Sequence, residues 1–75
     1  MKSEKNEAKY LVDLGKRITK HREAAGLSVQ ELADKVEVSR MHIYRIERGE
    51  NAASIIVLRR IADAIDIKLN ELISY

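Results

Sequence analysis

Cysteine, proline, tryptophan and phenylalanine are absent from the sequence, and glycine occurs only three times in 75 residues. Without cysteine the chain has no disulfide, no thiol nucleophile and no cysteine-based zinc site. The two histidines, His21 and His42, are too few to hold a metal ion by themselves, so we expect neither a metal nor another cofactor. The composition therefore favours a domain that folds without covalent or metal cross-links.

Long apolar runs are missing as well. The longest run spans residues 55–58, far short of the roughly 18 apolar residues that a bilayer helix needs. No basic segment followed by an apolar stretch begins the sequence, as a secretory signal would require. A chain of 75 residues, 45% of them apolar, suffices for one small core. We therefore expect one small cytoplasmic domain.

The basic and acidic residues nearly cancel in number, but they are unevenly spread. Lysine and arginine total 14 and the acids total 12, which leaves a formal net charge of +2. Residues 38–60 nevertheless carry five arginines against two glutamates, whereas residues 61–75 carry three acids and one lysine. This arginine block indicates a phosphate-bearing partner more strongly than the net charge does.

The spacing of apolar residues predicts helices throughout. It follows a 3.6-residue period, and no alternating strand pattern of any length interrupts it. Serines that suit helix N-caps and residues that suit left-handed helix ends divide the chain into five helices. The first begins between Glu4 and Lys9 and ends near Ala25; the others cover about 28–36, 39–48, 54–65 and 69–73.

Two positions indicate how the predicted helices pack. Gly15 lies inside helix 1, where glycine costs about 1 kcal/mol relative to alanine, so we expect another backbone or a bulky side chain to pack closely there. Ile55 falls on the same helical stripe as Leu58, Ile61 and Ile65. We therefore expect Ile55 on the core side of helix 4.

Helices 2 and 3, with the turn between them, form the most informative segment. Two short helices joined by three or four residues can cross steeply if a contact residue is small, and Ala33 meets that need. The outward side of helix 3 then carries Arg40, Met41, Tyr44, Arg45 and Arg48. A helix with this reach and charge suits a DNA major groove.

This segment resembles the Cro and phage-repressor (XRE-type) helix-turn-helix family. The resemblance rests on residues 22–28 (REAAGLS), 31–33 (ELA) and 39–49 (SRMHIYRIERG). It covers about residues 13–73 and implies an all-α five-helix bundle, the lambda-repressor-like DNA-binding domain. We assign residues 13–75 to this domain. Residues 1–12 would be an N-terminal extension, either flexible or the start of helix 1.

The resemblance also implies which residues contact DNA. The bases would be contacted by Ser39, Arg40, Met41, Tyr44 and Arg45, and the phosphates by Gln30, His42, Arg48 and Asn51. An arginine can bind both acceptors of a guanine edge, and Met41 or Tyr44 can pack on a thymine methyl group. His42 is either a phosphate contact or an uninvolved surface residue.

Three positions depart from the family pattern. Val29 replaces a frequent glutamine in the first turn of helix 2, so that phosphate contact would pass to Gln30 or to the backbone. Glu37 occupies a turn position that is usually glycine, so we expect either strain from a positive φ or an altered turn. Ala53 and Ile56 stand where residues opening helix 4 are often polar or basic, which argues against groove contacts from there.

Arg22 and Glu47 are two charged residues on faces that otherwise point inward. They are either a catalytic or ligand-binding pair or a structural salt bridge between helices 1 and 3. The family resemblance favours the salt bridge, since buried charges are normally paired.

Some apolar residues exceed what one small core can hold. Ile56, Leu69 and Ile73 predict a dimer interface formed by helices 4 and 5, with ordinary exposed apolar surface as the alternative. Tyr10 and Leu11 of the N-terminal extension are the next candidates.

Together these features favour a transcriptional regulator. We expect a homodimeric repressor or autoregulator that binds a palindromic double-stranded DNA operator through helix 3. The alternatives are a protein-interaction module, such as the antitoxin of a toxin–antitoxin pair, and a non-specific nucleic-acid coating protein. No carboxylate pair adjoins a plausible nucleophile or a glycine-rich phosphate loop, so we do not expect an enzyme.

Overall fold

Three serines mark helix starts in the computed structural model, which describes residues 3–73 and the side chains of residues 7–73. The helices are α1 (Ser3–Ala24), α2 (Val29–Val36), α3 (Arg40–Glu47), α4 (Ile55–Ala64) and α5 (Leu69–Leu72). The hydroxyls of Ser28, Ser39 and Ser54 accept hydrogen bonds from backbone N–H groups three residues later, at 3.0–3.1 Å. The predicted all-α five-helix fold is confirmed. Over residues 3–73, every helix is too short or too polar to cross a bilayer.

Helix α1 differs slightly from its prediction. It begins at Ser3 rather than between Glu4 and Lys9, because neither glycine nor proline interrupts the segment before Gly15. The division into a 1–12 extension and a 13–75 domain stays a prediction. Residues 1–2 of that extension and 74–75 of that domain lie outside the described residues.

Left-handed residues follow the ends of four helices. Gly26, Gly49 and Asp66 have φ values of 75°, 76° and 59°, as their positions in the sequence predict. Glu37 also takes this conformation, with φ 66°, and so keeps the turn geometry that is more usual for glycine. The backbone N–H of Val38 closes the turn by donating to the carbonyl of Ala33 at 3.1 Å. The sequence left two expectations for Glu37, strain from a positive φ or an altered turn. The positive φ agrees with the first, and the turn is not altered.

The apolar faces of all five helices meet in one core. Its buried members are Ile18, Leu32, Ala33, Val36, Ile43, Ile46, Leu58, Ile61, Ala62, Ile65 and Leu72. The prediction for Ile55 is wrong, because its side chain is 58% exposed. Ser54 caps the helix immediately before it, so Ile55 lies in the first turn, beyond the part of α4 that packs on the core.

Gly15 allows α1 and α3 to approach closely. A Cβ atom there would collide with the carbonyl oxygen of Glu47 and would lie 2.7 Å from that of Ile46. The expected close packing at Gly15 is confirmed, and the partner is the backbone of the last turn of α3. This contact fixes how far the end of α3 stands from α1.

The left-handed conformation of Glu37 generates a stability prediction. Replacing Glu37 with Gly should raise the free energy of unfolding by about 0.5–1 kcal/mol, because glycine adopts a positive φ without the Cβ clash but loses more backbone entropy on folding. Urea denaturation measures the change. Glu37→Ala is the control, since it removes the same charge but keeps a Cβ, and it should give no gain. Equal stabilisation by both variants would attribute the effect to charge and contradict the strain.

Candidate functional site

Helices α2 and α3 form a helix-turn-helix unit joined at small and aliphatic residues. Ala33 is fully buried, and Ile43 and Ile46 on α3 are at most 1% exposed. Val38 in the turn is half-buried and packs against the same core. Helix α3 also packs on α1, so two neighbouring helices cover its inner side and leave its outer side open to solvent.

The outer side of α3 carries three arginines with two large apolar side chains among them. We define the α3 surface as Arg40, Met41, Tyr44, Arg45 and Arg48, all of which are exposed. Met41 and Tyr44 are 49% and 46% exposed although they are large and apolar. The prediction that these five side chains share the outward face of helix 3 is confirmed. A helix of this kind can supply both charged donors and apolar contacts to a nucleic-acid groove.

A cleft of about 380 Å³ lies between the start of α2 and the α3 surface. Val29, Arg40, Met41 and Tyr44 line it. Val29 is one of the residues that depart from the family pattern, and it lines the cleft together with Met41. The cleft therefore combines apolar lining residues with Arg40.

Arg48 is held by two neighbours at the end of α3. Its Nε donates to Oε2 of Glu50 at 2.7 Å, and its Nη1 donates to the hydroxyl of Tyr44 at 3.3 Å. The guanidinium carbon also lies 5.4 Å from the centroid of the Tyr44 ring, a cation–π distance. The hydrogen bond to Glu50 raises the pKa of Arg48 above its ordinary value.

Glu50 was missed by the sequence analysis. The backbone N–H of Glu50 donates to the carbonyl of Arg45 at 2.9 Å, which turns the chain back over the last turn of α3. The left-handed Gly49 makes this return possible, so a helix-ending glycine followed at once by an acid was the available signal.

The remaining predicted contact residues are polar side chains around α2 and α3. Ser39 is exposed, and its hydroxyl oxygen caps α3. Gln30 is exposed, and its amide donates to Oδ1 of Asp34 at 2.8 Å. His42 and Asn51 are half-buried. Contact of these residues with DNA stays a prediction.

Arg22 and Glu47 form an ion pair between α1 and α3. Nε and Nη2 of Arg22 donate to the two oxygens of Glu47 at 2.7 and 3.1 Å, and Nη1 donates to the carbonyl of Leu27 at 2.8 Å. The two side chains are only 11% and 8% exposed. The hydrogen bond to Glu47 raises the pKa of Arg22 above its ordinary value, so the Arg22 guanidinium stays positively charged throughout the physiological pH range.

Thr19 completes this ion pair and was also missed. Its single hydroxyl proton lies between two acceptors, Oε1 of Glu47 at 3.0 Å and the carbonyl of Gly15 at 2.9 Å. Thr19 precedes Arg22 by three residues, a spacing that places both on one face of α1 and that could have identified it. The arrangement satisfies the carboxylate of Glu47 from two sides.

The arginine block is divided between two helices. Arg40 and Arg45 lie on α3 and Arg48 caps its end, whereas Arg59 and Arg60 lie on α4. Arg60 donates from Nη1 to the carbonyl of Val36 at 3.4 Å and so contacts the end of α2. Within residues 7–73, no three histidine or acidic side chains are grouped as a metal site requires.

The predicted dimer residues differ in exposure. Ile56 is 56% exposed and lies next to the exposed Ile55 at the start of α4. Leu69 and Ile73 are half-buried and pack against the core. Ile73 also lines a groove of about 350 Å³ that includes Tyr10 and Leu11 of α1, so it adjoins the second candidate patch as well.

The fold and the α3 surface define a helix-turn-helix domain, the class in which the second helix of the unit enters the major groove. The sequence matches the helix-turn-helix family HTH_3 over residues 18–72. The chain therefore belongs to this family, and the resemblance to Cro and the phage repressors is confirmed.

Relatives of known sequence or structure agree with this assignment. An uncharacterized HTH-type transcriptional regulator of Methanothermobacter thermautotrophicus is 42% identical over 48 residues, covering 64% of this chain and 70% of that protein. The restriction-modification controller protein C.AhdI from Aeromonas hydrophila is 35% identical with a TM-score of 0.81, covering 83% of this chain and 94% of its own. The biofilm master regulator SinR, solved in complex with DNA, is 31% identical with a TM-score of 0.78, covering 81% of this chain and 98% of its own.

The burial of the Arg22–Glu47 pair predicts a large effect of its removal. Glu47→Ala should lower the free energy of unfolding by about 3 kcal/mol, because it leaves the Arg22 guanidinium largely buried without its carboxylate. Thermal denaturation should show a fall in Tm of more than about 10 °C for a domain of this size.

Glu50→Ala is the matched control for this measurement. The distance from Nε of Arg48 to Oε2 of Glu50 is also 2.7 Å, but the side chains of this pair are 56% and 47% exposed. Exposed pairs contribute little, so we expect a change within about 0.5 kcal/mol. Equal losses in the two variants would contradict the dependence on burial.

Proposed function

We propose that this DNA-binding transcriptional regulator reads operator DNA in the major groove through α3 and does so as a two-fold dimer. The observation that carries the proposal is the α3 surface, which is exposed while the other side of α3 is fixed by α1 and α2. Base edges in the major groove offer both hydrogen-bond acceptors and thymine methyl groups, and this surface offers partners for each.

Within this proposal, the charged and apolar residues of α3 read different features of the bases. Arg40 and Arg45 donate to guanine O6 and N7, the commonest specific contact of arginine with DNA. Met41 and Tyr44 contact a thymine methyl group, and Val29 supports this assignment because it lines the same cleft. Ser39, at the start of α3, lies at the edge of the base-reading residues.

The proposed phosphate contacts surround this base-reading centre. Arg48, His42 and Asn51 belong to α3 or to the segment after it, and Gln30 belongs to the first turn of α2. The N–H groups that begin α2 are also suited to a phosphate, since helix N-termini carry partial positive charge. These contacts position the domain but carry no sequence information directly.

A dimer is proposed because one recognition helix reads too few base pairs to distinguish its site within a genome. A two-fold pair needs a self-complementary patch, and we propose Ile56, Leu69 and Ile73 for it. The exposure of Ile56 supports this choice, and the neighbouring Ile55 extends the apolar area. Such a dimer would act as a repressor or autoregulator on a palindromic operator. The cytoplasmic location of the protein stays a prediction.

The sequence is also compatible with two other functions. The antitoxin alternative is not favoured, since the relative from Methanothermobacter thermautotrophicus is named as a transcriptional regulator and SinR was solved with DNA. A non-specific coating protein would not account for a cleft lined by apolar residues together with Arg40. The family consists of DNA-binding regulators and is not an enzyme class, and we propose that the protein has no catalytic activity.

The base-reading role of Arg45 is testable by substitution. Selection from random duplex DNA first identifies the bound site. Arg45→Ala should weaken binding to this selected site by about 1–3 kcal/mol and relax the preference at one base pair, because a bidentate contact is lost. Fluorescence anisotropy on the selected duplex and its single-base variants measures both effects. Arg59→Ala is the control, since Arg59 is an exposed arginine on α4 outside the α3 surface. Unchanged site preference in Arg45→Ala would refute the assignment.

The dimer interface generates a separate prediction. Ile56→Asp should convert the dimer to a monomer without unfolding, because Ile56 is 56% exposed and lies outside the core. Sedimentation velocity measures the oligomeric state, and circular dichroism confirms the fold. Lys16→Gln, on the exposed side of α1, is the control, since it makes the net charge more negative by the same one unit. A dimer that survives Ile56→Asp would move the interface to the groove beside Tyr10 and Leu11.

A further inference from the structure

We propose that Glu50 competes with DNA phosphates for Arg48 and so lowers the affinity of the α3 surface for every DNA sequence. The inference rests on the proposed function, because it assigns a role to Glu50 only if Arg48 contacts DNA. Glu50 then acts as a positioning residue: it touches no base and works through the arginine that it holds.

The geometry supports the competition because Glu50 occupies Arg48 in the free protein. Glu50 accepts from Nε of Arg48 at 2.7 Å, and Tyr44 contacts the same guanidinium through its hydroxyl and its ring. Bidentate binding of a phosphate uses two N–H donors of an arginine, and one of the edges that could supply them includes Nε. A phosphate approaching that edge must displace Glu50.

The exposure of the pair makes this displacement possible. The side chains of Arg48 and Glu50 are 56% and 47% exposed, and ion pairs in contact with water hold together weakly. A DNA phosphate, which gains from counterion release, can therefore take the arginine. The Glu50 carboxylate is then left unpaired beside the DNA backbone, where it repels the phosphates.

The Arg22–Glu47 pair shows why only one of the two ion pairs can open in this way. Its shortest N–O distance is also 2.7 Å, but its side chains are 11% and 8% exposed. Glu47 accepts additional hydrogen bonds from α1, whereas Glu50 lies in the exposed segment after α3. The two ion pairs therefore have the same N–O distance, but the Arg22–Glu47 pair is fixed and the Arg48–Glu50 pair can exchange partners.

The first experiment measures DNA affinity of Glu50→Gln, which removes the charge and keeps the size. We expect binding to tighten by about two- to fivefold on the selected site and on an unrelated duplex alike. The plot of log affinity against log salt should become steeper by up to about one, the contribution of one neutralised phosphate. Asp63→Asn, which makes the same charge change on α4, is the control and should alter neither quantity. No change in Glu50→Gln would overturn the proposal.

A double-mutant cycle separates competition for Arg48 from general repulsion of DNA. Simple repulsion predicts that Glu50→Gln tightens binding equally whether residue 48 is arginine or glutamine. Competition predicts that the gain is largely lost in the Arg48→Gln background, because the two residues then no longer interact. Equal gains in the two backgrounds would overturn the proposal.

A measurement without DNA tests the pair itself. The Nε–H resonance of Arg48 in a ¹⁵N-labelled protein should shift when Glu50 is replaced with Gln, and an unchanged resonance would contradict the pairing. Failure of the unaltered protein to bind any duplex would contradict the proposed function and the competition together. Normal binding of the unaltered protein with an ineffective Glu50→Gln substitution would contradict the competition alone.

Discussion

The ion pair between Arg22 and Glu47 fixes α3 on α1, and the orientation of the outer side of α3 depends on it. Glu47 is the last residue of α3, and its backbone carbonyl also meets α1 at Gly15, where a side chain would not fit. The end of the helix is therefore held both by its backbone and by its carboxylate. Since the inner side is fixed in this way, the α3 surface presents its side chains at defined positions, as base reading requires.

Two arginine–glutamate ion pairs serve different purposes in this chain, and the difference between them is burial. The Arg22–Glu47 pair is largely withdrawn from water and contributes to the fold, whereas the Arg48–Glu50 pair is open to solvent and available to exchange partners. The bond length does not distinguish the two pairs. Their exposure does, because the side chains of the first pair are 11% and 8% exposed and those of the second are 56% and 47% exposed.

Local sequence signals predicted the helix-turn-helix unit well. Serine caps, left-handed turn positions and the small Ala33 depend on neighbouring residues alone, so the sequence identified them. Ile55 was misplaced because helical periodicity does not show where a helix extends beyond the core that it packs on. Glu50 was missed because its contact with Arg48 arises from the path of the chain after Gly49. Such contacts depend on backbone geometry that periodicity does not report.

We propose that two α3 helices, related by a two-fold axis, read base pairs in successive major grooves. Selection of bound sites from random duplex DNA with the unaltered protein tests it most directly, since it reports sequence preference and symmetry together. We expect enrichment of an inverted repeat whose half-sites are centred about 10 base pairs apart, one turn of DNA. Recovery of duplexes without a shared sequence would contradict base reading, and enrichment of a single half-site alone would contradict the two-fold arrangement.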